Sequence, residues 1–82
     1  MKILYFAKLK QHIGKSSDSI KISGEKRIYE VINELKKKDI KYMRAFEAVK
    51  NLQYAVNCEY VEVEGIVKDK DELAIFPPVT GG

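Results

Sequence analysis

Eighty-two residues, 45% hydrophobic and 33% charged, supply one modest core and exclude both a disordered chain and a two-domain protein. A single cysteine, Cys58, rules out an intrachain disulfide and suits a reducing compartment, so a cytoplasmic location is expected. The net charge of +3 conceals an asymmetry: residues 1–50 hold thirteen Lys or Arg against six acids (+7), residues 51–82 two against six (−4).

At the N-terminus, Lys2 to Ala7 is apolar and aromatic on both faces, which predicts a central strand. Its apolar run stops at Lys8, too short for the h-region of an export signal, and no later stretch is long enough to cross a bilayer. Gly14 to Asp18 reads as a turn. Ser19 to Ser23 then alternates polar with apolar and predicts a strand paired with the first as a hairpin.

Ile28, Val31, Ile32 and Leu35 fall at i, i+3, i+4 and i+7, one apolar face of a helix. Ser23 or Gly24 is the expected cap, with Glu25 in the first turn, where an acid is favoured. Lys36, Lys37 and Lys38 complete the last turn, where cations complement the helix dipole. That local role, the two-arginine content and the absence of an interleaved glycine-aromatic motif argue against nucleic-acid binding. Tyr42, Phe46 and Val49 space a short second helix within residues 39–50.

Gln53 to Val56 predicts a strand, Asn57 a turn, Tyr60 to Val63 another strand, and Val67 to Asp71 a polar connection. Glu72 to Phe76 is the last strand. The order predicts an α+β domain over residues 1–76, with one mixed sheet packed on one main helix. Pro77 and Pro78 fix φ and disfavour helix, so residues 77–82 are expected to leave as an extended tail. Its last residues, Gly81 and Gly82, lack Cβ atoms and pass through narrow channels.

Few side chains offer chemistry of their own. His12 has no partner to complete a triad or metal motif, and Cys58 has no cationic neighbour in sequence to activate it. Glu59, Glu62 and Glu64 read as a solvated edge and Asp69, Asp71 and Glu72 as a turn, so no metal site is expected.

The stretch Tyr54-Ala55-Val56-Asn57, the turn Asp69-Lys70-Asp71-Glu72 and the ending Phe76-Pro77-Pro78-Val79-Thr80-Gly81-Gly82 together carry a resemblance. So does the opening Tyr5-Phe6-Ala7-Lys8, with Gly14 soon after. The chain resembles the small, sulfur-carrying subunits of molybdopterin synthase, which have the ubiquitin-like β-grasp fold. Lys70 departs from the glycine usual in that family's turn, and Cys58 from its frequent glutamine.

The resemblance implies that an activating enzyme uses ATP to adenylate the Gly82 carboxylate, after which sulfur replaces the adenylate. The thiocarboxylate on Gly82, reached through Gly81, would then attack a cyclic pyranopterin precursor inside a large catalytic subunit, in a heterotetrameric complex. No permanently bound cofactor is implied, and the acid-base residues would belong to the large subunit. Phe76, Pro77, Pro78, Val79 and Thr80 are the expected partner-binding residues, with Phe76 assignable equally to the domain's own core. Alternatives are a ubiquitin-like carrier of another sulfur pathway, such as thiazole formation, a ubiquitin-like protein modifier, and a plain interaction module.

Overall fold

The computed structural model describes residues 1–78; the expected sites Val79, Thr80, Gly81 and Gly82 lie outside the described residues. In chain order the elements are β1 (Lys2–Tyr5), α1 (Ala7–Ile13), β2 (Ser17–Ser19), β3 (Glu25–Arg27), α2 (Ile28–Lys38), α3 (Ile40–Ala48), β4 (Gln53–Val56), β5 (Glu59–Val61), β6 (Ile66–Lys68) and β7 (Glu72–Phe76). Five strands form one sheet in the order β2-β1-β7-β4-β5, and β3 pairs with β6 in a separate two-stranded ribbon. The main sheet is mixed, as expected: β1 and β7 run parallel at its centre and the other pairs are antiparallel.

The helices cover one face of this sheet. Along β7, Leu73 and Ile75 are fully buried while Glu72, Ala74 and Phe76 are only partly covered, so alternate side chains face core and open side. Ile3 and Tyr5 of β1 join the same core. From α2 come Ile28, Val31, Ile32 and Leu35, all buried as the spacing predicts. Each such side chain contributes roughly 1.5–3 kcal/mol on burial, before the entropy of ordering it. Tyr42, Ala45 and Phe46 of α3, with Val49 just after it, close the core beside α2, which confirms the second helix within residues 39–50.

Five local expectations are corrected. First, the chain does not run straight from the opening strand to a turn. Phe6 ends the strand and α1 intervenes, burying Leu9 and Ile13 at i and i+4. Gly14 stops that helix at φ 89°, a left-handed conformation suited to glycine, and its N–H donates to the Lys10 carbonyl at 2.8 Å.

Second, the partner strand is Ser17–Ser19 and not Ser19–Ser23. It pairs antiparallel with β1 as foreseen, with Asp18 opposite Ile3, but Ile22 is buried outside any strand. Third, Glu25 lies in β3 and not in the first helical turn. α2 starts at Ile28, and Glu30 accepts from the Arg27 backbone N–H at 2.8 Å, so neither Ser23 nor Gly24 is the cap. Fourth, residues 66–68 are strand and not connection: Val67 sits fully buried opposite Lys26, because pairing with β3 turns its side chain inward. Fifth, the strand expected over Tyr60 to Val63 covers Glu59–Val61 and ends before Val63.

Beyond the end of β5, the loop to β6 satisfies the start of α2. The Ile28 N–H donates to the Gly65 carbonyl at 2.9 Å and that of Tyr29 to the Val63 carbonyl at 3.1 Å, two donors a helix start leaves orphaned. Arg27 Nη1 adds a bond to the Glu64 carbonyl. Among the described residues no helix is long and apolar enough to cross a membrane.

Candidate functional site

The open face of the sheet converges on the end of β7, where the tail begins. Cross-strand register places Leu4 and Ala55 on either side of Ala74, and Gln53 beside Phe76. Tyr60 of β5 stands opposite Ala55 and reaches over it. Its ring meets Phe76 edge-on, with centroids 5.8 Å apart and planes at 71°. Phe6, Ala7, Cys58, Pro77 and Pro78 complete an apolar groove of about 640 Å³.

This arrangement takes Phe76 out of the domain's own core. It is half-buried, absent from the core cluster, and on the face opposite Leu73 and Ile75. Pro77 and Pro78 continue the same wall. The groove is wide and mostly apolar, and among the described residues no charged side chain lines it. Such a surface fits a protein partner better than a small polar substrate.

Two groove residues have unusual backbones. Ala7 has φ 53° and Cys58 φ 71°, both in the left-handed region that side chains with a Cβ seldom adopt. Cys58 follows Asn57 at φ 50°, and the pair forms the two-residue link between Val56 and Glu59. Positive φ at both central positions is the mark of the type I′ hairpin turn, where asparagine is favoured first. Lys70, where the resembled family has glycine, is not among the residues of positive φ, so that turn accepts a side chain without strain.

The turn chemistry expected of Asn57 and Asp71 takes a specific form. The Asn57 side-chain amide donates to Asp71 Oδ1 at 3.0 Å, while Asn57 Oδ1 accepts from the Glu72 N–H at 3.0 Å. The Asn57 backbone N–H donates to the Glu72 carbonyl at 2.9 Å, and Asp71 Oδ2 accepts from the Lys68 N–H at 2.8 Å. The hydrogen bond from Asn57 and that from Lys68 hold the Asp71 carboxyl below the usual range. Asp69 is likewise lowered, first by the Ile22 N–H that it accepts at 2.8 Å.

A second polar cluster lies on the covered side, and sequence reasoning missed it. Tyr5 and Tyr42 hydroxyls both donate to Asp18 Oδ2, at 2.8 and 2.5 Å, and Lys15 pairs with Oδ1. Burial pushes the Asp18 carboxyl up, but the bonds from Lys15, Tyr42 and Tyr5 outweigh it and leave the group lowered. Burial, then Asp18, raises both tyrosines. The cluster joins β1, β2 and α3 and lies away from the groove; its part is structural.

The remaining candidates stay apart from one another. His12 is exposed on α1, and Glu59, Glu62 and Glu64 are exposed along β5 and its exit. Among the described residues no group of His, Cys, Asp or Glu could hold a metal ion. Phe6 and Tyr60, by contrast, are groove residues that sequence reasoning did not single out. The alternation of β1 gave a signal for Phe6, one step past the core residue Tyr5.

Comparison with known proteins places the chain. The ThiS family matches residues 3–82. The chain belongs to that family. Among curated relatives it is similar to the molybdopterin synthase sulfur carrier subunit of Haemophilus influenzae, 37% identical with 100% of this chain and 99% of the relative covered. It is also similar to the subunit of the same name from Dictyostelium discoideum, 38% identical over 99% of this chain and 94% of the relative.

Among solved structures, a Pyrococcus furiosus protein assigned as molybdopterin converting factor subunit 1 superposes with a TM-score of 0.77 at 30% identity, covering 95% of each chain. Small archaeal modifier protein 1 from Haloferax volcanii gives a TM-score of 0.76 at 23% identity, with 96% of this chain and 97% of that one covered, and shares the fold. These likenesses agree with the α+β, ubiquitin-like architecture and with the resemblance carried by the two ends of this ThiS-family chain.

Proposed function

We propose that this chain is the sulfur carrier subunit of a molybdopterin synthase, reacting through its C-terminal Gly82. The single observation that carries the reading is a match with carrier subunits of that name that runs from end to end and includes the diglycine. The apolar face at the root of the tail supports it, since a carrier must be held while its end is used.

The chemistry follows from the terminal group. A carboxylate is a poor electrophile. An ATP-dependent activating enzyme would convert it to an acyl adenylate with release of pyrophosphate, and a sulfur nucleophile would then displace AMP to leave a thiocarboxylate. That sulfur, soft and ionised at neutral pH, would attack a carbon of the cyclic pyranopterin precursor and displace an oxygen substituent; water would then cleave the acyl–sulfur bond, leaving the sulfur on the pterin and restoring the Gly82 carboxylate. A dithiolene holds two sulfurs, so two sulfur deliveries are needed per product, which accords with a heterotetramer of two small and two large subunits.

The chain's own residues would bind and aim. Phe76 and Tyr60 would anchor the large subunit, Pro77 and Pro78 would direct the tail into its active site, and Val79 and Thr80 would line the entry to it. Gly81 and Gly82, without side chains, would thread to the reacting centre. The acid and base would come from the large subunit, in the cytoplasm.

Intact-mass measurement of protein purified from its native cell tests this. A population with one oxygen replaced by sulfur at the terminus is expected, and its loss on deleting Gly82. Adducts of the chain on lysines of many other proteins, without the sulfur form, would assign it as a protein modifier instead.

A further inference from the structure

The groove beside the tail root is bounded by two elements that are separate in sequence: β7, carrying Ala74 and Phe76, and the β4–β5 hairpin, carrying Cys58 and Tyr60. β5 is an edge strand of three residues, paired among the described residues with β4 alone. By itself such an edge frays. Its turn also includes Cys58 at φ 71°, a conformation that costs free energy at a non-glycine residue.

One side chain compensates. Asn57 bypasses β4 and bonds directly to the start of β7: through its amide to Asp71 and through its carbonyl oxygen to the Glu72 N–H, besides its backbone bond to Glu72. Asp71 is in turn fixed by the Lys68 N–H at 2.8 Å. The hairpin is therefore pinned to the strand that ends in the tail, at the end opposite Phe76, and the Tyr60–Phe76 contact is set from that pin.

We infer that Asn57 and Asp71 are positioning residues: they touch no reacting atom, but they preset the groove that the large subunit must grip. This rests on the sulfur-carrier reading above and deepens it. Preorganisation of this kind raises affinity by removing an ordering cost at the moment of binding. It also gives a physical role to two residues that carried the sequence resemblance without carrying chemistry.

The test uses the full chain and the large synthase subunit. Asn57→Gly keeps a backbone suited to positive φ while deleting both side-chain bonds, and Asp71→Ala removes the other half of the clamp should the first variant fold poorly. Val31→Ala, a truncation in the core beneath α2, serves as the control for lost stability. Calorimetric titration is read together with nuclear Overhauser contacts between the Tyr60 and Phe76 rings.

The expected result is an affinity about tenfold weaker for Asn57→Gly, with weakened ring contacts, while Val31→Ala keeps both. Ring contacts or affinity at the level of Val31→Ala in both clamp variants would overturn the inference. If the wild-type chain itself fails to bind the large subunit, the sulfur-carrier reading falls; wild-type binding with unaffected variants removes only the clamp.

Discussion

The rings of Tyr60 and Phe76 meet in a T-shaped contact with centroids 5.8 Å apart, on the face of the sheet opposite Leu73 and Ile75. Tyr60 remains 75% exposed. An aromatic residue left so open contributes little to folding, yet it is the type of side chain that dominates interfaces once covered. Tyr60→Ala is therefore expected to shift folding stability by no more than about 0.5–1 kcal/mol and to weaken association with the large subunit by about 2 kcal/mol. Thermal unfolding and titration calorimetry on the same samples check both halves. An equal loss in the two would make Tyr60 a packing residue.

Asp18 gives the fold an acid-sensitive joint. Its carboxyl is lowered in the folded chain, so it contributes stability above the carboxylate range of the unfolded state and loses it as pH falls through the folded value. Acid unfolding should steepen below about pH 4, and Asp18→Asn should flatten that limb. At neutral pH the same variant should be less stable by about 2–4 kcal/mol, because two tyrosine hydroxyls and Lys15 lose a charged acceptor. Denaturant titrations between pH 3 and about 7 decide the matter.

Gly65 is required for want of space. A Cβ there would stand 3.0 Å from the Glu62 carbonyl oxygen and 3.3 Å from Val61 side-chain atoms. That oxygen is already fixed by the Gly65 N–H at 2.9 Å, and the Gly65 carbonyl receives the first N–H of α2, so neither side yields cheaply. Gly65→Ala is expected to cost about 1–3 kcal/mol, seen as a lower denaturation midpoint with an unchanged slope.

Val67 tests the corrected strand assignment. It is fully buried in a polar run, opposite Lys26 in β3. Val67→Ala should cost about 2 kcal/mol, the loss of two buried methyl groups and the cavity they leave. A substitution in a true surface connection would change stability by less than about 0.5 kcal/mol.

What the sequence made legible follows from how far each element depends on its own residues. α2 was readable because its four buried positions repeat with the helix period, and β7 because Leu73 and Ile75 alternate with half-covered neighbours. β3 was not: Glu25, Lys26 and Arg27 carry no apolar signal, and they are strand only because Ile66 to Lys68 arrive from forty residues away in the chain to pair with them. That same pairing buries Val67.

α1 was missed for another reason. It spans seven residues, and Phe6 before it makes no side-chain cap, so only Leu9, Ile13 and the Gly14 stop announced it. At the site, Phe76 to Pro78 were legible as a tail root, whereas Tyr60 needed the β4–β5 register to bring it across the sheet.

The strand that ends at Phe76 is bonded on both flanks, to β1 along one side and β4 along the other. A pull on the segment beyond it loads these two ladders in shear, many bonds resisting together, and does not unzip a border one bond at a time. Force on the tail root is thus shared along two ladders at once and not taken bond by bond.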